Sequence, residues 1–151
     1  MTYSELINAY FERSTALQWY WTVYIIVIGG VLGFSTFRQR PETVTVILLT
    51  LLYAGFAYKN WGAIEATAEE REAILAAIKD YPSVGPNWAD VKRLRDKLEP
   101  ALPPYDIAGA RNFHILCDVL TVIFLWAKEW QRRRRKADGS QSVGLASATN
   151  A

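Results

Sequence analysis

Four residues in the last third of the chain have types and spacing that could do chemistry. His114, Cys117, Asp118 and Thr121 stand at i, i+3, i+4 and i+7, which places them along one stripe of a helix. The surrounding stretch, 113–130, is otherwise apolar as far as Lys128. Ionisable groups in such a setting turn toward a bundle interior, find a partner, and mark a packing contact or a path for protons or ions. Several chemistries compete for this stripe. A His114 to Asp118 hydrogen bond, helped by Arg111, would fix the rotation of the helix, and the same pair would serve a proton or ion site. Cys117 with His114 as its base would suit covalent catalysis, yet i, i+3 neighbours on one helix supply neither oxyanion donors nor a cleft. A metal would require several chains to bring their stripes together. The reading adopted is a candidate intramembrane polar site that acts as a packing contact, with no catalytic residue, metal or cofactor.

Two further groups carry physical meaning. Gly29-x-x-x-Gly33, with Gly30 beside it, lies in an apolar run and is a close-packing motif. Thr50, Ala54 and Ala57 in the next apolar run offer a surface of matching small residues. The packing is either within this pair or between copies of the chain. The glycines do not form a nucleotide loop, which needs GxGxxG at the start of a helix in a βαβ unit. Lys128, Arg132, Arg133, Arg134, Arg135 and Lys136 crowd the end of the third apolar segment. Such a cluster sets topology and attracts anionic lipid head groups. Because it directly follows an apolar helix and is not interleaved with a folded domain, nucleic acid is not expected as a partner.

The elements that must position these residues follow from where charge is missing. The 151 residues include 17 Lys+Arg, 15 Asp+Glu and 51% hydrophobic residues, for a formal net charge of +2. These averages suit a soluble domain, but no charge falls in 14–37 or 43–58. A helix crossing ~30 Å of hydrocarbon needs roughly 20 apolar residues, so spans are expected at 19–37 and 43–61. The five residues Arg38, Gln39, Arg40, Pro41 and Glu42 would join them in a tight hairpin. Buried helices of a soluble protein would need polar faces, which these runs lack.

The third segment is marginal. Nine strong apolar residues at about −0.5 kcal/mol each favour insertion, and Asp118 opposes it by up to ~3 kcal/mol. It is expected to cross with the first two as neighbours, giving an all-α integral membrane protein of three transmembrane helices. The acidic start, with Glu5 and Glu12 ahead of Arg13, and the length of the first apolar run argue for an uncleaved anchor.

Outside the spans, Thr2-x-x-Glu5 reads as a capping box opening an amphipathic interfacial helix over 1–18, with Leu6, Ile7, Tyr10, Phe11 and Leu17 along one side. Residues 62–106 form a short helical loop domain. Gly62 permits a bend there, Thr67-x-x-Glu70 restarts a helix carrying Ile74, Leu75, Ile78 and Tyr81, and Asn87-x-x-Asp90 caps a second one. Too small for a core of their own, their apolar sides must meet the membrane, each other or another subunit. Asp106 is the expected cap of the third long helix, which with its polybasic end covers 107–136. The small, polar tail 137–151 reads as disordered.

One Cys and one His exclude an internal disulfide framework and any CxxC or multi-His metal site within one chain. The basic cluster favours a cytoplasmic C-terminus in a plasma membrane of bacterial type. That puts the Arg38/Arg40 turn inside and 59–111, with eight basic and nine acidic residues, outside. Trp19, Tyr20, Trp21, Tyr58 and Trp61 would mark the outer interface, and Trp126 and Trp130 the inner one. If 113–130 instead lay on the surface, both termini and the middle segment would share the inner side. The expected function is helix packing without catalysis, as an accessory subunit of a membrane complex or a homo-oligomer, with other membrane subunits or itself as partner. The alternatives are a homo-oligomeric ion or proton channel or pore lined by the third helix, and a membrane enzyme using His114 and Asp118.

Overall fold

A computed structural model describes the backbone of residues 2–82 and 88–148 and the side chains of 2–82 and 89–137. The described residues are helical, without strands: α1 is Tyr3–Phe37, α2 Thr43–Lys79, α3 Trp88–Leu98 and α4 Ile107–Ala148, with a 3₁₀ turn at Glu99–Ala101. Three of these helices, α1, α2 and the 107–137 part of α4, are long and apolar enough to cross a membrane.

Local chemistry accounts for the ends. The Thr2 hydroxyl accepts from the Glu5 amide at 3.3 Å, while the Glu5 carboxylate accepts from the Thr2 amide at 2.7 Å, a reciprocal capping box. Asp106 caps α4 through a hydrogen bond from the Gly109 amide to its Oδ1 at 2.9 Å. A Cβ on Gly109 would run into that carboxylate, so glycine there lets the cap form. The Asn87 cap lies outside the described residues.

The long helices run through the breaks anticipated for them. α1 continues past residue 18, because Ser14 and Thr15 return their hydroxyls to the carbonyls of Tyr10 and Phe11 at 2.9 and 3.0 Å. Their side chains thereby stay within the helix and do not compete with its backbone. α2 continues through Gly62 and Thr67. One mid-helix glycine costs only about 1 kcal/mol, and Ile64 and Ala68 just beyond it are fully buried. The backbone of α4 is helical to Ala148, through the first twelve residues of the segment read as a tail.

The chain divides into two compact units, Met1–Val23 with Lys59–Asn112, and Tyr24–Tyr58 with Phe113–Ala151. In the first, Tyr3, Leu6, Ile7 and Tyr10 of α1 bury against Leu75, Ile78 and Leu102, with Val91 and Leu98 alongside. The amphipathic sides of α1, α2 and α3 therefore meet each other, and Phe11 is left half exposed. A second cluster joins Leu17, Ile64 and Ala68 to Trp21, Trp61 and Tyr105, and the Trp21 indole donates to the Tyr105 hydroxyl at 2.9 Å. The second unit is centred on Val31, Val46, Tyr53 and Leu125. Its outer surface is apolar, with Ile25, Ile26, Leu51, Leu52, Leu120 and Ile123 all more than half exposed.

Candidate functional site

In the second unit, polar side chains from three helices converge on Asp118. Tyr24 of α1 and Tyr53 of α2 both donate their hydroxyls to its Oδ1, at 2.9 and 2.7 Å. His114, one turn earlier on α4, meets Oδ2 through Nδ1 at 2.8 Å, with Nδ1 as donor when it carries the proton. The His114 ring is 2% exposed and stacks on Tyr24 with centroids 4.0 Å apart at 23°. The Tyr24 hydroxyl also lies 3.1 Å from the His114 carbonyl, so its one proton serves either acceptor. Asp118 accepts from every helix of its unit, an arrangement that fixes the rotation of all three.

The stripe read from the sequence is thus only half assembled. His114 and Asp118 come together. Thr121 is buried, but its hydroxyl bonds the Cys117 carbonyl at 2.7 Å. Cys117 is half-buried, and Arg111 is exposed. Tyr24 and Tyr53 were missed, although a signal for them exists. Interfacial tyrosines belong at the ends of spans, whereas these two stand well inside apolar runs where a hydroxyl must find a partner.

A second polar centre surrounds Glu129, which is 1% exposed. Its carboxylate pairs with Arg38 of the α1–α2 turn at 2.6 Å and with Arg133 and Arg132 of its own helix at 3.4 and 3.9 Å. Arg132 also donates to the Ser35 carbonyl and Arg133 to the Thr43 hydroxyl. The six clustered basic residues therefore do not act alike. Arg132 and Arg133 tie α4 to α1 and α2, and Arg134 lies over the Trp130 ring at 3.6 Å. Lys128 approaches the Phe124 ring at 5.4 Å. Arg135 and Lys136 are exposed. Glu129 was readable as the one acid among these bases, at i, i+3 and i+4 from Arg132 and Arg133.

The packing glycines turn elsewhere. A Cβ on Gly29, Gly30 or Gly33 would meet nothing within 4 Å, and Ala54 is exposed. Contact between α1 and α2 in this unit runs instead through Val31, Val46 and Tyr53.

The first unit holds a buried cation that sequence reading passed over. Arg71 is 7% exposed and donates to the Ser14 hydroxyl and the Pro103 carbonyl, each at 2.9 Å, and to the Tyr10 hydroxyl. Its guanidinium lies 4.5 Å from the Tyr10 ring centroid. It joins α1, α2 and the segment before α4.

Compared with family models, curated proteins and solved structures, the chain matches none. Its function must be read from these centres.

Proposed function

We propose that this protein is a three-span membrane protein that acts by helix packing, as a non-catalytic subunit of a membrane complex or of a homo-oligomer. The observation that carries this reading is the Asp118 centre. A carboxylate that would be costly in an apolar layer accepts from Tyr24, Tyr53 and His114 of its own chain. A site for transport or catalysis needs such groups turned toward a lumen or a substrate. Here they are spent on holding three helices at fixed rotation.

The apolar exterior of the second unit suits lipid contact, and the open positions at Gly29, Gly30 and Gly33 let a neighbouring helix approach closely. The third crossing is supported by the Arg38 to Glu129 pair. With three crossings, the turn after the first span and the end of the third face the same side. With two, a bilayer would separate them.

The test is the mass of the assembly in nanodiscs, with co-purifying membrane proteins identified and ion flux measured in liposomes of the same material. A defined oligomer or a stable complex without flux is expected, and Gly33→Leu should reduce it. Steady ion flux, or a monomer that binds no other membrane protein, would overturn the reading.

A further inference from the structure

The α1–α2 turn and the basic end of α4, both in the second unit, enclose a cleft of about 600 Å³, within the ~300–1,000 Å³ range of small-molecule sites. Arg38, Lys128, Arg132, Arg135 and Lys136 line it, and among the described residues no acidic side chain is in the wall. Gln39 and Gln131 add neutral donors. Behind this wall Glu129 is buried and holds Arg38 at 2.6 Å. Arg132 is anchored on the Ser35 carbonyl. Two guanidinium groups are thus set in place before any ligand arrives, which lowers the ordering cost of binding. The positive charge of the wall far exceeds what one carboxylate neutralises.

We propose that this cleft is a discrete binding site for the phosphate headgroup of an anionic phospholipid. Guanidinium and ammonium donors around one concavity match phosphate oxygens. The lipid source, as opposed to a soluble phosphate, follows from what adjoins the cleft. Phe37 is 85% exposed at the end of α1, and Trp130 and Val44 are also more than half exposed, so acyl chains have apolar surface to lie on beside the headgroup. A polybasic end acting as a diffuse charge cloud would treat all its members alike. A built cleft does not: Arg134 over Trp130 and Arg40 in the turn are outside its lining.

This inference rests on the membrane reading above, and its test keeps the two separate. The full-length protein is placed in nanodiscs of phosphatidylcholine containing a minority of phosphatidylglycerol, and lipid retained on release is counted by native mass spectrometry. Two variants with equal loss of charge are compared, Lys128→Gln with Arg135→Gln in the cleft and Arg40→Gln with Arg134→Gln outside it; none of the four residues pairs with Glu129. At about 1 kcal/mol for each of the two basic side chains removed, the cleft variant should retain phosphatidylglycerol roughly thirtyfold more weakly, and the other variant should retain it like the unaltered protein. Equal loss in both, or loss in neither, overturns the site. Competition by glycerol phosphate at concentrations matching the lipid would overturn the lipid assignment. Release of the protein from membranes by alkaline carbonate would overturn the membrane reading itself.

Discussion

In the three-span reading proposed above, Asp118 opposes insertion of its helix by up to about 3 kcal/mol, and the donors around it are of a kind to offset that cost. Interhelical hydrogen bonds in membranes are worth about 0.6 kcal/mol on average and up to ~1.7, so the contacts from Tyr24, Tyr53 and His114 are together of the right size. Asp118→Asn keeps one acceptor oxygen but sets an amide N–H₂ against hydroxyl and imidazole donors. It should lower unfolding stability in detergent by about 1–3 kcal/mol. In a double-mutant cycle with Tyr53→Phe, the coupling should be about 0.5–1.5 kcal/mol; a coupling near zero would mean that the bond does not hold the helices. Arg71 makes a parallel case in the first unit. Arg71→Lys keeps the charge but not the planar fork that reaches Ser14, Tyr10 and Pro103 together, so the 72–79 end of α2 should exchange its amides faster, by about 1–3 kcal/mol in opening free energy. Half of the Asp118 centre was legible in the sequence, and the Arg71 centre was not. His114 and Asp118 announce themselves as ionisable residues in an apolar run, and their i, i+4 spacing already implies their bond. Their tyrosine partners lie on other helices, and no local spacing links Tyr24 or Tyr53 to residue 118. Arg71 stands in a polar stretch beside Glu69, Glu70 and Glu72, where a solvated arginine is the ordinary expectation.

At the scale of elements, the sequence showed the number and placement of the apolar helices and missed their continuity. Gly62, Thr67 and the Ser14-Thr15 pair are the residue types that end or bend helices, yet neighbours buried on both sides outweigh a local preference of about 1 kcal/mol. Where capping residues had real ends to satisfy, at Thr2/Glu5 and Asp106, the signals and the hydrogen bonds agree. The Thr2 amide, and then its hydroxyl, hold the exposed Glu5 carboxyl below its ordinary value of 4.5. A depressed folded value means that the cap stabilises the helix above the ordinary glutamate range and loses that contribution as pH falls through the folded value. Amide protection in the first turn of α1 should therefore stay level from neutral pH down to about 4.5 and drop below it, a change that Glu5→Gln should abolish. Glu129 connects elements in the same way on a larger scale. Glu129→Gln leaves Arg38 and Arg132 partly buried without their counter-charge, and breaking such a pair from one side costs about 3–5 kcal/mol. The turn at 38–42 should then detach, and trypsin should cut after Arg38 far faster in the variant than in the unaltered protein. Equal cleavage rates would show that the turn is held by apolar packing alone.

For the whole molecule, the near-balanced charge of +2 hides a segregation that has consequences for orientation. Charges are absent from 14–37 and 43–58 and dense after 128, and basic residues flanking spans are retained on the cytoplasmic side. Counts alone separate the sides poorly, because 59–111 carries as many basic residues as the turn and the polybasic end together. The Arg38 to Glu129 pair adds a constraint of another kind, since two groups 2.6 Å apart share one face of any bilayer that the helices cross. On the three-crossing reading proposed above, Asp80 and the rest of the middle segment are expected on the other side. Single-cysteine variants test this directly. In a Cys117→Ser background, Arg40→Cys and Lys136→Cys should react with a membrane-impermeant maleimide only after cells are opened, while Asp80→Cys should react in intact cells. If Asp80→Cys and Lys136→Cys label from the same side, α4 does not cross, and the ion pair that joins the turn to its basic end could not form in the membrane. If Arg40→Cys and Lys136→Cys label together from outside, three crossings stand and the basic density after 128 fails to set their direction.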